Sequence, residues 1–89
     1  MGKRFKYLTS VKKSYVEQGK IYFLCQTYRH LTDEERKQID ALCERAGGEY
    51  AQALREFMCT QANWQAVCME HALSSATLER IRRKFYNLW

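Results

Sequence analysis

Eighty-nine residues suffice for one folded domain and are too few for two, because a unit much below about 50 residues rarely buries enough surface to fold alone. Hydrophobic residues at 46% and charged residues at 28% are the balance of a globular domain and exclude a disordered chain. The net charge of +5 makes a polyanion the first partner class to consider. No apolar run approaches the roughly 18 residues of a membrane span, and no signal-peptide pattern follows Met1, so the expectation is a cytoplasmic protein with no membrane partner.

The charge is segregated along the chain. Residues 1–29 hold Lys3, Arg4, Lys6, Lys12, Lys13, Lys20 and Arg29 against Glu17 alone, whereas residues 30–74 hold twice as many acids as bases. The last fifteen residues turn basic again, with Arg80, Arg82, Arg83 and Lys84 against Glu79. Basic ends brought to one face would meet a polyanion, and the acidic middle would meet something else.

Residues 1–9 form a basic arm containing Lys3, Arg4 and Lys6. Ser10 or Thr9 then caps a helix over about 11–29 whose apolar positions include Val11, Tyr15, Tyr22, Cys25 and Tyr28. Gly19 interrupts that pattern, and the run from Ile21 to Cys25 would also suit a strand; with no partner strand elsewhere, helix is the economical assignment, as one piece or two. Thr32-Asp33-Glu34-Glu35 is a capping box, which starts a helix over 33–46 with Ile39, Leu42, Cys43 and Ala46 on one stripe. Gly47 and Gly48 end it.

The segment 49–59 repeats the signature, with Tyr50, Ala51, Leu54, Phe57 and Met58 on one face. Asn63 caps a short helix over 64–72, and Ser74 caps a longer one over 75–88 whose apolar face is Leu78, Ile81, Phe85 and Leu88. The fold expected is all-α, a compact single-domain bundle of four to five helices ending in a helix-turn-helix over 64–89. Trp89, at the end, needs a surface to be buried against: the N-terminal helix or a second subunit in a homodimer.

No catalytic set is present in the sequence. His30 and His71 lie in different segments, and neither a glycine-rich phosphate loop nor a Ser, His, Asp arrangement is visible, so the chain reads as a non-enzyme with no cofactor. Cys25, Cys43, Cys59 and Cys68 read as reduced and apolar. No two stand two to four residues apart as zinc ligands do, and only Cys68 with His71 could share a metal, so no metal site is expected.

From Trp64 to Tyr86 the chain resembles the helix-turn-helix of small phage and bacterial, or mobile-element, transcription regulators. Ala72, Leu73, Ser74, Ser75, Ala76, Thr77, Leu78 and Ile81 fill the pattern of small residue, aliphatic, serine cap, two variable residues, Thr or Ser, aliphatic and a second aliphatic three positions on. Val67 and Cys68 match buried positions of its first helix, His71 stands where an apolar residue is usual, and Ala72 replaces the commoner glycine. The resemblance implies double-stranded DNA as partner, with the 75–88 helix in the major groove and Ser74, Ser75, Ala76, Thr77, Glu79, Arg80, Arg83 and Lys84 at the contact. Arg80 and Arg83 would fork onto guanine, Thr77 and the helix N-terminus would hold a phosphate, Arg82 and Lys84 would lie nearer the backbone, and the Lys3, Arg4, Lys6, Lys12, Lys13 cluster would reach an adjoining groove as a flexible arm. The alternative expectation is a protein-binding inhibitor or adaptor of mobile-element origin. In that reading Asp33, Glu34, Glu35 and Asp40, together with Trp89, dock on a basic nucleic-acid-binding protein.

Overall fold

Four helices begin on a short polar side chain that accepts a hydrogen bond from an otherwise free backbone N–H, and these caps set the boundaries of the architecture. The computed structural model describes residues 11–89, and the basic cluster Lys3, Arg4 and Lys6 lies outside that range. The chain runs α1 (Tyr15–Gln26), α2 (Asp33–Gly47), α3 (Ala51–Cys59), α4 (Trp64–Glu70) and α5 (Ser75–Leu88), with single 3-10 turns at Tyr28–His30 and Gly48–Tyr50. The fold is all-α, with no strand among the described residues, and none of the helices is long and apolar enough to cross a membrane.

The first helix departs from expectation. It starts at Tyr15, because Ser14 and Glu17 form a second capping box: Ser14 Oγ accepts from the Glu17 amide and Glu17 Oε1 accepts from the Ser14 amide. It ends at Gln26, so residues 11–29 divide into an irregular entry, a helix and a 3-10 turn. Starting there rotates the face: Gln18, Ile21, Tyr22 and Cys25 are buried, whereas Tyr15 is 62% exposed. Val11 is buried ahead of the helix, and the fully buried Gln18 donates from Nε2 to the Lys13 carbonyl at 2.9 Å, which fastens the entry to the core.

Helix α2 begins at the expected box, with Thr32 Oγ1 accepting from the Glu35 amide, and packs against both α3 and α5. Ile39, Cys43 and Ala46 form its buried stripe, as its periodicity predicts. Gly48, at φ +56°, turns the chain through the left-handed region into α3, whose buried residues are Ala53, Leu54, Phe57 and Met58.

The α4 to α5 connection is a Schellman turn. Ala72 sits at φ +53°, the Leu73 amide donates back to the Cys68 carbonyl at 3.1 Å, and the Ala72 amide donates to the Met69 carbonyl at 3.4 Å. That closure stops α4 at Glu70, two residues before the expected 72. Leu73 is buried beneath the turn, and Ser74 then caps α5 by accepting from the Thr77 amide. α5 occupies 75–88 as its cap and stripe predict, with Leu78, Ile81 and Phe85 in the core.

Candidate nucleic-acid interface

Helix α5 buries more of its circumference than its apolar stripe alone requires. Tyr86, which lies off that stripe, is fully buried, and Arg82 is only 4% exposed. The Arg82 guanidinium carbon lies 5.4 Å from the Phe57 ring centre, 5.6 Å from Trp64 and 5.9 Å from Tyr86, so three aromatic rings from α3, α4 and α5 surround one cation. A position beside the DNA backbone is therefore excluded for Arg82. Its long stem and delocalised charge are used inside the fold, where ring quadrupoles replace part of its hydration. Burial pushes the Tyr86 hydroxyl up to about 12, against an opposing influence from Arg82.

With that side of the helix committed, the outward face carries Ser75, Ala76, Arg80, Lys84 and Asn87, all exposed, flanked by half-buried Thr77, Glu79 and Arg83. The expected contact residues thus lie together along one helix, and they differ in what each has to offer. Ser74 is spent on the cap, its hydroxyl accepting from the Thr77 amide and donating to Thr77 Oγ1 at 2.9 Å. Ser75 Oγ accepts from Trp64 Nε1 at 2.8 Å, a bond that ties the first turn of α5 to the first residue of α4. Arg83 donates to Glu79 Oε1 at 2.9 Å across one helical turn. That half-buried pair contributes little to stability, but it engages the Arg83 guanidinium.

Among the described residues, a lysine from elsewhere in the sequence joins this helix. The Lys12 amide donates to Asn87 Oδ1 at 3.0 Å, which places exposed Lys12 at the C-terminal end of α5. No local pattern signals this contact, because its partners are 75 positions apart and the bond uses backbone on one side.

His71 is half-buried, not apolar and not free. As the C-cap residue of α4 it turns Nε2 toward Glu56 Oε2 of α3, 2.7 Å away. The side chains are 22% and 28% exposed, so this contact holds α4 to α3 where the resemblance calls for an aliphatic residue.

The acidic set is distributed differently. Asp33 approaches Arg36 at 3.5 Å, and Glu35 closes the capping box, which lowers its carboxyl below the ordinary range through hydrogen bonds from the Thr32 backbone first and its hydroxyl second. Asp40 accepts from the Tyr28 hydroxyl at 2.9 Å. Only Glu34 is exposed without a role in these local contacts. Trp89, half-buried, packs against Phe85 at 5.8 Å between ring centres and borders a groove with Gln38, Leu42 and Arg45. Within the chain it is α2, and not the N-terminal helix, that lines this groove.

Comparison with known proteins gives no match. No protein-family model, curated protein or solved structure corresponds to this chain. The functional reading therefore rests on the residues and their geometry.

Proposed function

We propose that this is a small DNA-binding protein, a sequence-specific transcriptional regulator that lays the outward face of α5 in the major groove. The observation that carries the reading is the exposed line of Ala76, Arg80, Lys84 and Asn87, joined at one end by Lys12, on a helix fixed rigidly from behind by the Arg82 cluster. A helix is the element the major groove admits, and Arg80 has the planar fork that pairs with guanine O6 and N7. Small residues at 75 and 76 let the helix N-terminus approach closely, where its dipole and amides favour a phosphate or base edge. Lys84 and Lys12 supply the sequence-independent attraction that dominates affinity. A two-fold DNA site would be met by two copies, each presenting one α5.

The test is selection from a random duplex library followed by fluorescence-anisotropy titration at two salt concentrations. Arg80→Ala is expected to weaken binding and relax base preference at one position, whereas Lys84→Ala should weaken all sequences alike and flatten the salt dependence. Binding that neither substitution alters would overturn the reading.

A further inference from the structure

The α3 to α4 junction brings Glu56 together with the adjacent pair Glu70 and His71, three side chains of metal-ligating type. Glu56 lies on α3, Glu70 is the last residue of α4, and His71 is its C-cap; one donor atom from each falls within 4.8 Å of the other two. Two exposed carboxylates would be an ordinary acidic patch. The third donor is an imidazole nitrogen, and it already faces a carboxylate oxygen at 2.7 Å in a half-buried setting.

We propose that Glu56, Glu70 and His71 form a site for one divalent transition-metal ion, with Zn²⁺ the best match, that joins α3 to the end of α4. The donor set decides the class of metal. Calcium and magnesium take oxygen ligands, whereas one imidazole with two carboxylates suits zinc and its first-row neighbours. Ligands about 2.0–2.2 Å from a tetrahedral ion stand roughly 3.3–3.6 Å apart, which three donors inside 4.8 Å can reach by side-chain rotation alone. The 2.7 Å between His71 Nε2 and Glu56 Oε2 is a hydrogen-bond distance, so metal entry takes the place of the proton between them, the ring carrying its hydrogen on Nδ1 instead, and lets the pair open by roughly 0.7 Å. Three protein ligands leave a fourth position to water. Cys68, one turn before His71 and a candidate partner for it on sequence grounds, is not a member of the cluster.

The experiment is titration of the intact, reduced protein with Zn²⁺ by calorimetry, and with Co²⁺ by optical and NMR spectroscopy. A single saturable site is expected, with the His71 ring resonances shifted by Co²⁺ and those of His30, exposed and remote in sequence, unchanged. Glu70→Gln alters an exposed side chain and leaves the fold intact; it and His71→Ala should each weaken binding by at least about tenfold, the lower end of what disturbing a metal's ligand environment costs. His30→Ala should change nothing. Absence of saturable binding, equal binding by wild type and Glu70→Gln, or a Co²⁺ spectrum with thiolate charge-transfer bands would each overturn the proposal. None of these readouts depends on DNA.

Discussion

Arg82 lies with its guanidinium carbon 5.6 Å from the centre of the Trp64 ring, a contact between the middle of α5 and the first residue of α4. Trp64 meets Phe57 of α3 edge-on at 5.0 Å and donates its indole hydrogen to Ser75, so three helices are set against one another through two side chains. A face presented to a partner needs a rigid support, and this is where α5 obtains it.

Arg82→Ala should therefore cost about 2–4 kcal/mol of stability, combining lost desolvated cation–π contacts with the cavity left behind. Arg82→Met, which restores most of the volume without the charge, should cost less, because a buried cation replaced by a well-packed apolar chain need not destabilise. Urea denaturation of the two variants measures the difference. Equal losses would mean that the cation–π contacts, which both variants lack, carry the effect and that volume does not.

Ala72→Gly should stabilise the protein by about 0.5–1 kcal/mol. An L-residue at φ +53° pays about 1–2 kcal/mol for the crowding of its Cβ in the left-handed region, part of which the greater freedom of glycine in the unfolded chain offsets. Ala72→Val, which adds a β-branch, should destabilise. Thermal unfolding midpoints check both signs.

The two capping boxes should give the protein an acid-sensitive component of stability. Glu17 and Glu35 both have carboxyls lowered from 4.5, each by hydrogen bonds from its capping serine or threonine, backbone first. A folded-state value below the unfolded one adds stability that is present above pH 4.5 and disappears as pH falls through the lowered value. Glu17→Gln and Glu35→Gln, which remove the titrating carboxylates, should thus be less stable than wild type at pH 7 and converge toward it in acid. Denaturant midpoints across that range show whether the gap closes.

The cysteines should divide into two reactivity classes. Cys25 and Cys43 are buried, and burial pushes the Cys43 thiol up to about 12, leaving roughly 10⁻⁴ of it ionised at pH 8. Cys59 and Cys68 are half-exposed. Brief alkylation at pH 8 followed by mass spectrometry should label Cys59 and Cys68 alone, with Cys68 slowed because burial raises its thiol too. Labelling of Cys43 in the native protein would contradict the packing of α2 on α3.

Arg80→Ala should weaken binding to the selected DNA site by about 1–3 kcal/mol, the value of one bidentate base contact. Arg83→Ala should lose less, since its guanidinium must first leave Glu79. Anisotropy titrations of the two variants at matched salt rank them.

Much of the architecture is legible in short stretches of sequence, because caps, glycine turns and apolar stripes are local and act on their own neighbours. Thr32 with Glu35, Asn63, Ser74 and the Leu78, Ile81, Phe85 stripe place α2, α4 and α5 to within a few residues, and Ser14 with Glu17 carries the same signal for α1. What no local pattern could decide is which charged side chains remain outside. Arg80, Arg82, Arg83 and Lys84 read alike as a basic run, yet packing buries Arg82 among three rings, pairs Arg83 with Glu79 and leaves Arg80 and Lys84 exposed. Likewise, His71 meets Glu56, and Lys12 meets Asn87, only after helices distant in sequence have docked. A helical repeat determines the angle at which a side chain leaves its own axis, whereas burial depends on what other elements stand at that angle, and the tertiary structure alone supplies them.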